Sequence, residues 1–192
     1  MLYITGTAIG IEYFMNLYKI PHHENAPSII NGVIEISKGD SAKYEYDSEM
    51  DLFRLDRCLS SAMVYPVNYG FIPMTKAADG DPLDIMIYNN IPIDRGTLVQ
   101  CYVVGVLEMT DGGDNDYKIL TVPCTHIRRI KRISDVDPMF LNITKNFFKH
   151  YKDLEGKKVT VGDWLGREKA LDIIREDMLY DTPTLPVPRQ YE

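Results

Sequence analysis

Three aspartates fall within the six residues Asp79-Gly80-Asp81-Pro82-Leu83-Asp84, directly before an apolar run. Gly80 and Pro82 suit a tight turn, so the backbone can aim Asp79, Asp81 and Asp84 into one volume. Carboxylates crowded in this way repel one another and hold their protons more tightly unless cations lie between them. The segment has no His or Cys, and hard oxygen donors suit Mg2+, Ca2+ or Mn2+ rather than zinc or copper. A second acidic turn, Asp111-Gly112-Gly113-Asp114-Asn115-Asp116, repeats the spacing, because Asp111 and Asp116 are as far apart in sequence as Asp79 and Asp84. Either turn alone also reads as a solvated loop, since Gly-Gly and Asn-Asp are ordinary turn chemistry. Two in one small chain favour the metal reading. Neither is an EF-hand, whose loop needs oxygens at its first, third and fifth positions and a Glu at its last. Counted from Asp79, Leu83 falls at the fifth place, and counted from Asp111, Gly113 falls at the third.

Metals clustered by carboxylates serve phosphoryl transfer, where they bridge phosphate oxygens, position a water and lower its pKa. Cationic side chains are then expected opposite the acids. Lys43, Arg57, Lys118 and Lys152 are the candidates, each beside an expected strand or helix and none in a charge run. Lys43 and Glu45 alternate with Tyr44 and Tyr46, so the charged pair shares one strand face and the tyrosines share the other. Taken singly, each lysine reads by default as an exposed solubilising charge. Tyr65 and Tyr69 flank Pro66 and adjoin Gly70. They read either as packed barrel tyrosines or as hydroxyls on irregular backbone near the mouth of a site.

The elements that must position these groups are short and mostly extended. Strand signals rich in Val, Ile, Leu or Tyr recur at 33–36, 43–46, 52–56, 69–72, 83–88, 97–108 and 117–122, bounded by Gly, Pro, Asp or Asn. The polar turn 47–51 predicts a hairpin joining 43–46 to 52–56. After residue 135 the period changes. Asp137 caps a helix with Pro138 at its first position, and Phe140, Ile143, Phe147, Tyr151 and Leu154 follow at spacings of three and four. Phe140, Ile143, Phe147 and Leu154 are expected in the core. A second helix is predicted over about 167–180, with Leu171, Ile174 and Met178 as its stripe. The expected class is α+β, mainly β: a small barrel first and helices second.

Length and composition bound the remaining choices. The 192 residues, 45% of them hydrophobic, can bury a core and favour a single domain, 1–192. Residues 1–14 read as an N-terminal extension and 181–192, with three prolines, as an extended tail. A net charge of -7 argues against a nucleic-acid or anionic-membrane binder, which relies on a basic face. Cys58, Cys101 and Cys124 are odd in number and form no CxxC pair, so a disulfide framework or zinc site is not expected and a reducing cytoplasm is. No stretch approaches the roughly 18–20 apolar residues of a membrane span.

The run Asp79-Gly80-Asp81-Pro82-Leu83-Asp84-Ile85 resembles the signature of the soluble family I inorganic pyrophosphatases. Other segments match that family in order: Val33-Ile34-Glu35-Ile36, Lys43-Tyr44-Glu45-Tyr46-Asp47, Leu55-Asp56-Arg57, Tyr65-Pro66-Val67-Asn68-Tyr69-Gly70-Phe71-Ile72, Gly105 to Asp111, and His150 to Glu155. The resemblance covers roughly residues 15–178. It implies a five-stranded OB-like closed barrel with flanking C-terminal helices, assembled as a homohexamer. It also implies hydrolysis of pyrophosphate to two orthophosphates by a metal-activated water, which removes the pyrophosphate released in biosynthesis. Several Mg2+ ions per site are implied, with Mn2+ as a possible substitute. Asp79, Asp84, Asp111 and Asp116 would hold metal, and Asp81 would act as general base with Tyr69 beside it. Lys43, Arg57, Lys118, Tyr151 and Lys152 would grip phosphate oxygens. Glu35, Glu45 and Tyr65 would act one layer out.

The chain departs from the family in two places. Gly112 stands where an acidic residue commonly follows Asp111, and Asn146 where some members pair a second histidine with His150. Two other functions compete: an OB barrel that binds single strands without chemistry, disfavoured by the acidic charge, and a metal-dependent hydrolase of nucleotides or phosphomonoesters.

Overall fold

The computed structural model describes residues 16–126 and 129–180. The expected extension, 1–14, and the expected tail, 181–192, lie outside the described residues. Among the described residues nine strands and two α-helices follow a short lead-in: β1 (Ile29–Ile36), β2 (Ala42–Asp47), β3 (Leu52–Cys58), β4 (Asn68–Phe71), β5 (Asp84–Ile87), β6 (Leu98–Asp111), β7 (Asp114–Asn115), β8 (Lys118–Pro123), α1 (Pro138–His150), β9 (Val159–Gly166) and α2 (Arg167–Asp177).

Five strands form a ring. β1 pairs antiparallel with β4 and with β6, β4 with β5, and β6 with β8, while β5 and β8 run parallel. The order β1-β4-β5-β8-β6 therefore closes on itself, which is the OB-like arrangement. β9 extends β6, and β2 and β3 make the separate hairpin expected from the turn at 47–51. The parallel pair is what matters for function. It sets Asp84 opposite Lys118, so both strands start at the same end of the barrel. The two acidic turns feed those starts.

Strands buried on both faces carry continuous apolar runs instead of alternation. Ile85, Ile87 and Ile119 pack in one cluster with Leu171, Ile173 and Ile174 of α2, while Met86 and Leu120, adjacent to them in sequence, pack in another with Phe147 and Phe148 of α1. Gly70 is required on β4, because a Cβ there would run into the Val33 carbonyl oxygen of β1.

Asp137 caps α1 by accepting from the Met139 N–H at 2.9 Å, with Pro138 at the first position. The expected core stripe needs correcting. Thr144, Phe147, Phe148 and Tyr151 form the buried face, whereas Ile143 is 50% exposed and Leu154 70%. Ile143 sits a quarter turn from the middle of that face. Leu154 lies beyond the last helical residue, His150, in a 3-10 turn over Asp153–Glu155, where the helical period no longer applies. α2 likewise ends at Asp177, and Met178 bridges instead to Thr75. β9 has no counterpart among the expected strands. Among the described residues no helix is long and apolar enough to cross a membrane.

Candidate active site

The turn before β5 is tied by backbone and by its own side chains. Ala77 N–H donates to the Asp81 carbonyl at 2.8 Å and Gly80 N–H to the Ala77 carbonyl at 3.0 Å. Asp79 Oδ1 accepts from the Asp81 N–H at 3.0 Å. Gly80 takes φ +95, which a residue with a Cβ rarely adopts. The other acidic turn is a two-residue hairpin of Gly112 and Gly113, both at positive φ, between β6 and β7. Asp111 is thus the last residue of a strand, and Asp116 N–H donates back to the Met109 carbonyl at 2.8 Å.

Both turns open onto one cleft of about 460 Å³, lined by every candidate residue except Arg57. Asp79, Asp81 and Asp84 enter it from the first turn, and Asp111 and Asp116 from the second. Glu35 comes from β1, Lys43 and Glu45 from β2, Tyr69 from β4, and Tyr151 and Lys152 from the end of α1. Tyr65 lines it with its ring 5.6 Å from that of Tyr69. Arg57, on β3, pairs instead with Asp56 and, at 3.2 Å, with Glu155, and among the described residues its buried Nη2 has no hydrogen-bond partner. The cleft also takes in Tyr18, whose hydroxyl donates to the Tyr46 carbonyl at 3.0 Å, and Asp114. Asp114 lies inside the acidic turn, where its sequence context is that of any solvated loop residue. Tyr18 lies upstream of every strand signal, so nothing in its local pattern marked it.

Charge is unbalanced here. Eight carboxylates (Glu35, Glu45, Asp79, Asp81, Asp84, Asp111, Asp114 and Asp116) face three lysines (Lys43, Lys118 and Lys152). Lys118 is buried and hydrogen-bonds both Asp84 and Asp116. Burial alone would discharge it, but the two carboxylates raise its pKa and keep it an ammonium. Lys152 pairs with Asp111, and Lys43 with Glu45. Against some burial, Lys152 holds the Asp111 carboxyl below its ordinary value. Asp81 goes the other way: burial, then Asp79, Glu45 and Asp84, push its carboxyl up despite Lys43. Burial and Asp84 likewise outweigh Lys118 at Asp116. Glu35 is pushed up to about 8, chiefly by burial and against the Tyr46 N–H it accepts at 2.9 Å. The hydroxyls of Tyr65, Tyr69 and Tyr151 are raised by burial and stay neutral donors.

Among the described residues no three carboxylates close around a single point as a finished cation site. Lys118 stands between Asp84 and Asp116 instead, and Lys152 against Asp111. The donor set still fits hard divalent cations, because it is all oxygen and the surplus of acids over lysines leaves the cleft strongly negative.

The family profile described as inorganic pyrophosphatase matches residues 32–180, most of the chain and both acidic turns. The chain belongs to that family. The inorganic pyrophosphatase of Halalkalibacterium halodurans is 42% identical over 152 residues, which span 78% of this chain and 93% of that protein. The Synechocystis inorganic pyrophosphatase is also 42% identical, over 164 residues and 84% and 96% of the two chains. Among solved structures, the inorganic pyrophosphatase from Thermus thermophilus superposes with a TM-score of 0.81 at 38% identity, covering 84% of this chain and 95% of that one. Membership of the inorganic pyrophosphatase family accounts for a cleft that combines clustered acids with buried lysines and neutral tyrosines.

Proposed function

We propose that this cleft hydrolyses inorganic pyrophosphate to two orthophosphates. The observation that carries the reading is the parallel pairing of β5 and β8, which brings both acidic turns to one cleft with lysines among them. Water adds to one phosphorus, the bridging P–O bond breaks, and the proton of the water passes to Asp81. A carboxyl raised by burial and neighbouring acids is a better proton acceptor than an ordinary aspartate. The Tyr69 hydroxyl, neutral and buried in the same cleft with Asp84 and Asp116 as its nearest charges, orients the water by hydrogen bonding. Lys43, Lys118, Lys152 and the Tyr151 hydroxyl bind phosphate oxygens and stabilise the charge that builds on the leaving phosphate. Family resemblance adds Arg57, which as it stands lies outside the cleft against Asp56 and Glu155. Glu35, Glu45 and Tyr65 hold these groups in place.

Asp79, Asp84, Asp111 and Asp116 would hold Mg2+, several ions per cleft, with Mn2+ as a substitute. When bound, such ions neutralise the substrate oxygens and make water more acidic. Family resemblance further supports a cytoplasmic homohexamer of single-domain subunits spanning 1–192.

A substrate panel at fixed Mg2+ tests the reading. Pyrophosphate is expected to turn over faster than nucleoside triphosphates or phosphomonoesters. Faster release from a nucleoside triphosphate would favour the nucleotide hydrolase. Tight retention of labelled single-stranded DNA without phosphate release would favour the binding barrel.

A further inference from the structure

The loop that carries Asp79 and Asp81 and ends at Asp84 is closed at its neck by one buried hydroxyl. Thr75 Oγ1 donates to the Ile72 carbonyl at 2.6 Å and accepts from the Leu83 N–H at 2.9 Å, and the residue is only 4% exposed. Ile72 N–H donates to the Leu83 carbonyl at 2.8 Å, so the same two residues are joined twice. Leu83 directly precedes Asp84, and the Leu83 N–H has only this hydroxyl to satisfy it among the described residues. The flanks are held as well: Lys76 N–H donates to the Asp177 carbonyl and Leu179 N–H to the Met74 carbonyl, both at 2.8 Å. Within this frame Thr75 supplies the side-chain contact between the start and the end of the loop. It does not line the cleft.

We infer that Thr75 is a positioning residue for the cation site, its hydroxyl setting the distance between Asp79 and Asp84 from outside the cleft. A residue that fixes ligands through the backbone plays the part usually taken by an outer partner of a metal ligand, whose loss weakens metal binding by about 10- to 100-fold. The inference rests on the proposed metal site and adds to it a residue that touches neither cation nor substrate.

The test is Mn2+ binding in the absence of substrate, followed by electron paramagnetic resonance of free Mn2+, with thermal melting measured in parallel. Thr75→Val keeps the shape and removes both hydrogen bonds, and it is expected to weaken Mn2+ binding by at least about tenfold. Thr75→Ser keeps the oxygen and is expected to bind within about twofold of wild type. Thr121→Val serves as the structural control. Thr121 is also fully buried, donates to the Met86 carbonyl at 3.0 Å and lies outside the cleft. It should lower the melting temperature without weakening Mn2+ binding. Wild-type binding by Thr75→Val would overturn the inference. So would a tenfold loss in Thr75→Ser, which decides the matter even if Thr75→Val does not fold. Failure of wild type to bind Mn2+ would overturn the metal reading itself and this inference with it.

Discussion

The turn at 79–84 and the turn at 111–116 carry aspartates at the same spacing, yet the first is pinned at its neck and sets Asp81 among other acids, whereas the second is a two-glycine hairpin that sets Asp111 against Lys152. Asp81 accordingly sits above its ordinary pKa with other acids as its strongest electrostatic neighbours, and Asp111 sits below with Lys152 beside it. Spacing in sequence therefore does not decide what an acidic turn does; the charges that tertiary structure brings to it do. Asp81 of the first turn is suited to accept a proton and Asp111 of the second to stay ionised, while Lys118 joins Asp84 of one turn to Asp116 of the other.

The largest test of that division is Asp81→Asn. Removing the proton acceptor should lower phosphate release by about 10²- to 10⁴-fold with the fold unchanged by circular dichroism. Near-normal activity would remove Asp81 from its role. Asp116→Asn should instead weaken cation binding, by about tenfold or more, in a Mn2+ titration without substrate; unaltered binding would show that Asp116 is not a cation ligand. A third expectation concerns both turns together. Because cations bind only the folded cleft, Mg2+ at about a hundred times its Kd should add about 2.7 kcal/mol and raise the melting temperature over that in chelator. Coincident melting curves would contradict the cluster.

The smallest effect separates the turns by pH. A carboxyl lowered in the folded state adds stability above its unfolded pKa and loses it as pH falls through the folded one. Lys152→Met removes the group that lowers Asp111. The variant should therefore be less stable than wild type near neutral pH by up to about 1 kcal/mol, and the deficit should close as pH falls below the carboxylate range. A deficit that stays constant with pH would assign Lys152 to packing.

Local chemistry made part of this legible. The hairpin at β2–β3, the Asp137 cap of α1 and both acidic turns are set by neighbours in sequence, and each stands where its residues indicate. What depends on distant partners was not legible. Lys118 reads as a surface charge, but the two acids opposite make its burial tolerable. Ile143 shares the spacing of the core stripe, yet only the barrel decides which edge of that stripe is covered. β9, with Gly162, Asp163 and Gly166, has weak strand propensity and forms because it pairs with the end of β6, Gly105 to Asp111, that β1 leaves uncovered. The pairing of β5 with β8, on which the cleft depends, leaves no mark in either strand.

The most direct test measures phosphate release from pyrophosphate across Mg2+ concentration, for wild type, Asp81→Asn and Asp116→Asn side by side. The maximal rate should collapse in Asp81→Asn with little change in the Mg2+ needed, while Asp116→Asn should require markedly more Mg2+. Identical Mg2+ curves for all three proteins would contradict a cleft in which Asp81 takes the proton and Asp116 helps to hold the cations.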